Sequence, residues 1–180
     1  YPYRVEISVA MVFLIMLVNL RGVKESGAAF ALPTYFFVFT MLITVGMGFA
    51  RYFSGSLGVV VNPPEFAVGE MVGVITPFLL LHAFASGTSA LTGIEAISNG
   101  ITAFKEPRSK NAGITLVWMS AILGSLFLGI SFLSGRIAAV PSESETVISQ
   151  LARTIYGGQG APYLALIGGT AVILIMAANT

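Results

Sequence analysis

Polar connectors divide the chain into five apolar runs, at about 5–20, 28–50, 71–104, 111–135 and 161–180. A bilayer's hydrocarbon core is about 30 Å thick and takes about 20 apolar residues as a helix. None of the runs alternates apolar and polar residues as an outer-membrane strand would. The pattern therefore predicts an all-α, polytopic helical membrane protein whose first partner is the lipid bilayer. The first run is short and carries Glu6 near its start, and the second holds no formal charge. Pro33 and Pro77 read as kinks within the second and third.

The third run is too long for one straight helix. From Met71 to Phe104 an unbroken helix would rise about 50 Å, more than tilt absorbs. The break is expected at Gly87–Gly93, in the stretch GTSALTG, with Gly87 and Gly93 as hinges. Glycine holds a helix poorly, and Thr88, Ser89 and Thr92 can satisfy the freed backbone groups. Two half-helices result, at 71–86 and 94–104. On the second, Glu95, Ser98, Asn99 and Thr102 follow one stripe at i, i+3, i+4 and i+7. A carboxylate at that depth must be neutralised, paired or wet, and interrupted helices of this kind hold the sites of secondary transporters. Alternatives remain open. The glycines could serve close packing, Glu95 could be structural, and Ser98 and Asn99 could join helices by hydrogen bonds.

Two other stretches carry a pattern. Ala121, Ser125 and Gly129 form a small-residue ridge on the fourth run, suited to a closely packed neighbour. Residues 146–156 place Val147, Ile148, Leu151 and Ile155 at helical spacing beside Glu145 and Arg153. That segment reads as a short amphipathic helix on the outer surface or as a soluble lid.

Composition narrows the function classes. Hydrophobic residues make up 56% of the 180, charged residues 9%, and mean hydropathy is +0.88; an ordinary soluble domain carries about 25% charged residues. With no cysteine and a single histidine, His82, no metal site, disulfide framework or catalytic constellation is expected, and His82 reads as a packing residue. An enzyme is therefore not expected, nor a cofactor, nor a nucleic-acid partner for a chain of net charge +1. A channel or a structural membrane subunit stays as the alternative, although no filter sequence or charged ring repeats. The chain begins Tyr1-Pro2-Tyr3-Arg4 and stops within an apolar run, which reads as an internal piece of a longer protein.

Basic residues set the orientation. The short connectors 21–27 and 105–110 hold two and three of them and are expected in the cytoplasm, which places Asn62–Glu65 and Pro141–Glu145 outside.

The stretch GTSALTGIEAISNGITAFKEPRSKNA resembles the sixth transmembrane helix and following loop of the amino acid–polyamine–organocation (APC) superfamily, with Gly93-Ile94-Glu95 as its glycine–apolar–glutamate triplet. NLRGVKESG (19–27) is similar to that family's loop between helices four and five, and Ala177-Ala178-Asn179-Thr180 to a segment of its eighth. The resemblance implies a fragment of helices four to eight of the LeuT-type inverted-repeat fold, in a secondary transporter working by alternating access in the plasma or inner membrane. It implies Ser89, Thr92, Gly93 and Glu95 as substrate- or ion-binding residues. Where amino acid permeases of the family carry an aromatic gate, this chain has Ser89, and the motif is closer to the branch that includes proton-coupled potassium symporters. The implied coupling ion is the proton, and the cargo a small solute such as potassium ion or an amino acid. The implied partners are the parent's missing helices and, possible for this family, a second copy in a homodimer. Were Glu95 both proton-responsive and a cation ligand, protonation and cation binding would oppose each other.

Overall fold

The computed structural model describes residues 3–20, 23–64, 76–88, 92–142 and 144–177. Among these the regular elements are all helical: α1 (Arg4–Leu20), α2 (Val23–Phe53), α3 (Pro77–Gly87), α4 (Thr92–Asn99), a 3-10 turn (Ile101–Ala103), α5 (Arg108–Arg136), α6 (Val147–Tyr156) and α7 (Ala161–Ala177). The all-α expectation holds. Two compact units divide the chain, residues 1–64 with 129–180, and residues 65–128.

In the first unit α2 is the axis, packed on α1, α6 and α7, with α6 also against α7. Lipid tails are as apolar as leucine, so helices in a bilayer associate through close packing rather than through a hydrophobic driving force. Glycines make that packing possible here. A Cβ added at Gly169 would lie 3.2 Å from the Phe36 ring, and one at Gly129 only 2.6 Å from Cγ1 of Val45. One at Gly48 would meet Leu133 and Ile155 at 2.5 and 2.9 Å. Around these contacts Met41, Leu133, Ile137, Leu151, Ile155 and Leu166 are wholly buried. Of the expected ridge on α5, Gly129 meets α2, whereas Ala121 and Ser125 are exposed.

Large apolar side chains cover the outside of the helices: Leu32, Tyr35 and Phe39 on α2, Val117, Trp118 and Phe127 on α5. Two segments, Phe30–Phe53 and Arg108–Arg136, are long and apolar enough to cross a membrane; α1, α3 and α7 contain shorter apolar helices. So extensive an apolar exterior belongs in lipid.

Several boundaries differ from the sequence expectation. Helix α2 begins at Val23, earlier than residue 28, because Lys24-Glu25-Ser26 carries no helix breaker and Gly27 alone does not stop a helix. Pro33 lies inside α2. Pro77 does not kink a helix; it starts one. Thr76 is extended (φ −88°, ψ 152°) and its hydroxyl accepts from the Leu79 amide at 3.1 Å, so proline takes the first helical position, where its missing N–H costs nothing. Residues 71–75 lie outside the described residues. Helix α5 begins at Arg108, ahead of residue 111, where the Glu106 carboxylate accepts from the Arg108 amide at 3.3 Å and the Asn111 side chain donates to the Lys105 carbonyl at 2.8 Å.

The expected amphipathic helix at 146–156 is α6, capped by Thr146, whose hydroxyl accepts from the Ser149 amide at 3.2 Å. Gly157 closes it in the left-handed region (φ 72°), a conformation glycine reaches without strain. Its buried face rests on α2 and α7, which makes α6 part of the first unit's core.

Candidate functional site

The residues singled out by the sequence fall on α3, α4 and the gap between them. Gly87 is the last residue of α3, and Thr88 is still near helical geometry (φ −68°, ψ −14°), its hydroxyl donating to the Ala85 carbonyl at 2.6 Å. Ser89, with Ala90 and Leu91, lies outside the described residues, so the centre of the expected break does too. Thr92 and Gly93 open α4, although their side-chain surroundings also lie outside the description.

Glu95 stands in the first turn of α4. The unpaired amides of a helix N-terminus carry partial positive charge, so a carboxylate is favoured there. Glu95, Ser98 and Asn99 are all exposed, and the carboxylate makes no hydrogen bond or ion pair with a described residue. The fourth member of the stripe, Thr102, lies beyond the helix. Gly100 (φ −89°, ψ 12°) ends the α-helical run, the chain tightens into a 3-10 turn, and Phe104 is extended (φ −77°, ψ 146°). The second half-helix thus stops at Asn99 rather than Phe104. His82, one turn after Phe78 on α3, has its ring centre 6.4 Å from that phenyl and is exposed.

A second polar cluster went unread in the sequence. Glu145 receives Arg153 through Nη2 at 3.0 Å and Nε at 3.2 Å, a two-point grip that fixes orientation as well as charge. The Ser149 hydroxyl donates to the same carboxylate at 2.8 Å and lies 2.9 Å from the Tyr163 hydroxyl. Gln150, wholly buried, accepts from the Val140 amide at 3.1 Å and donates to the Val140 carbonyl at 2.7 Å and the Glu145 carbonyl at 3.3 Å. Thr44, also wholly buried, donates its hydroxyl proton to the Thr40 carbonyl at 2.8 Å and shares a 2.7 Å hydrogen bond with the Tyr156 hydroxyl. The spacing of Glu145, Ser149 and Arg153 at i, i+4 and i+8 was a readable signal. Thr44 and Tyr156 lie 112 positions apart and gave none.

Chemically, this second cluster is a framework. Its donors and acceptors are matched to one another, and no group of three or more histidine, cysteine or acidic residues suited to a metal occurs among the described residues. On α4, by contrast, Glu95, Ser98 and Asn99 are exposed and make no side-chain hydrogen bond with a described residue.

The whole chain aligns with part of a transporter. Over 181 residues it is 42% identical to the protein named Potassium transporter KimA from Bacillus subtilis (strain 168), an alignment covering 100% of this chain and 29% of that relative. The chain therefore spans less than a third of the relative's length. No protein-family model matches it. The relative's name describes a potassium transporter and not an enzyme, in keeping with the apolar composition of this chain.

Proposed function

We propose that the chain forms part of a secondary active transporter that takes up potassium ion with protons by alternating access, in the manner of the APC superfamily. The observation that carries this reading is the 42% identity along the whole chain to a potassium transporter. The chemistry of α4 supports it. Glu95 offers oxygen donors of the kind a hard cation takes, and it lies at a helix start that follows the end of α3 by only a few residues. Thr92, with a hydroxyl and a backbone carbonyl three positions before Glu95, is the natural second ligand, and Ser89 a third. Gly87 and Gly93 act as the hinge. The five runs cross the plasma or inner membrane, with 21–27 and 105–110 in the cytoplasm, and the parent's remaining helices complete the site. An amino acid as cargo is the weaker choice, because Ser89 has no ring to stack over one.

The test is uptake by the full-length parent in cells lacking their own potassium and amino acid carriers. Saturable rubidium uptake that collapses with a protonophore is the expected result. Uptake of an amino acid without potassium dependence would replace the cargo, and a linear, gradient-independent flux would favour a channel.

A further inference from the structure

The C-terminal ends of α2 and α5 meet in the first unit and carry a cluster that the transport reading leaves unused. The guanidinium carbon of Arg136, in the last turn of α5, stands 5.3 Å from the centre of the Tyr52 ring and 5.0 Å from that of Phe132. Those rings lie at 89° to each other with centres 5.2 Å apart, and Phe49 stacks on Phe132 at 5.7 Å. Two aromatic walls therefore hold one cation. Both contacts engage the π-faces of the rings, whereas the five N–H donors of a guanidinium lie in its own plane.

Those donors have no taker among the described residues. Arg136 is exposed and makes no hydrogen bond or ion pair with a described residue. The carbonyls at the end of its own helix would be the obvious acceptors, and they are engaged: Leu133 accepts from the Ile137 amide and Ser134 from the Ala139 amide, each at 3.0 Å. The helix dipole favours a cation in the last turn, yet it satisfies none of the five donors.

Depth decides what could. The apolar part of α2 is 24 residues long and α5 is 29, about 36 and 44 Å as helices, so both outreach a hydrocarbon core of about 30 Å and bring their ends into the headgroup layer. Phe53, 81% exposed beside the cluster, fits the aromatic belt found at that level. The anion present there at high local concentration is a lipid phosphate, which a planar guanidinium grips at two points. We propose that Arg136, held between Tyr52 and Phe132, binds the phosphate of a membrane phospholipid. This inference rests on the membrane setting alone and stands apart from the cargo.

The full-length parent, stripped of lipid in mild detergent, is titrated with phosphatidylglycerol and, separately, with diacylglycerol of the same chains, and bound lipid is counted by native mass spectrometry. Arg136→Gln lowers phosphatidylglycerol affinity about tenfold. Arg136→Lys, which keeps the charge but loses the planar fork, and Tyr52→Leu, which removes one wall, lower it less, and diacylglycerol binding is the same in all four proteins. Melting temperatures in lipid-free detergent report folding, and should Arg136→Gln fail to fold, Arg136→Lys carries the test. Unchanged phosphatidylglycerol affinity in the folded Arg136 variants overturns the proposal. So does an equal loss of diacylglycerol binding.

Discussion

The corner where α6 meets α2 and α7 and the segment formed by α3 and α4 treat polar side chains in opposite ways. In the corner, Thr44, Ser149 and Gln150 are buried and each has a hydrogen-bond partner. On α3 no residue is buried, and on α4 Glu95, Ser98 and Asn99 are exposed. An unmatched buried polar group costs about 1–3 kcal/mol, so a polar residue retained among apolar helices either matches another group in the fold or is kept for something that arrives. The corner is the first case, and under the proposed function the α4 stripe is the second. The difference separates framework from site without reference to any ligand.

Breaking the framework should therefore cost stability, and breaking the stripe should not. The largest effect is expected from Gln150→Leu, which leaves the part-buried Val140 amide and carbonyl without their partner; we expect a loss of roughly 2–3 kcal/mol, read by denaturant or thermal unfolding of the full-length parent in detergent. Next comes Gly129→Leu. A side chain there runs into Val45, whose branched Cβ cannot swing aside, and a loss of about 2 kcal/mol is expected from the same measurement. Thr44→Val should cost about 1 kcal/mol, and so should Tyr156→Phe. The two are the ends of one hydrogen bond, so the double variant should cost little more than either alone, and strict additivity would show that the bond contributes nothing.

The smallest stability change, within about 0.5 kcal/mol, is expected for Glu95→Gln, an exposed position where the amide conserves volume. Uptake by that variant across pH 5.5 to 8.5 should nonetheless lose much of its pH dependence. An unaltered profile at equal membrane expression would make Glu95 part of the framework and erase the contrast.

The comparison also explains what could be read beforehand. Helix existence followed from the apolar runs, because 16 or more residues without a strand's alternation leave few other options in lipid. Helix ends followed less well. Pro77 suits the interior of a kinked helix and the first position of a new one, and the choice depended on Thr76 being free to cap. Gly100 looked like one more small residue in a periodic stretch, yet it ends α4. The α6 helix was legible from its apolar spacing, but its burial was not, since that depends on α2, a hundred residues earlier. The polar stripe was legible because Glu95 stands out in an apolar stretch. Gln150 did not, lying in a connector where polarity is ordinary.

Helix α2 also bears on how the protein is made. Thr34, Thr40 and Thr44 each reach back to a carbonyl of their own helix, at Phe30, Phe36 and Thr40 respectively, at 2.8 to 3.0 Å. Tyr156, the later partner of Thr44, is 112 residues further along. A ribosome adding about 5–20 residues per second takes on the order of ten seconds to produce it. During that interval α2 must sit in the bilayer without α6 and α7. The protons of its threonine hydroxyls are already given to the backbone behind them, so the newborn helix can wait among lipid tails without seeking a wrong partner, and Thr44 keeps that bond while its free lone pair accepts from Tyr156 when that residue emerges.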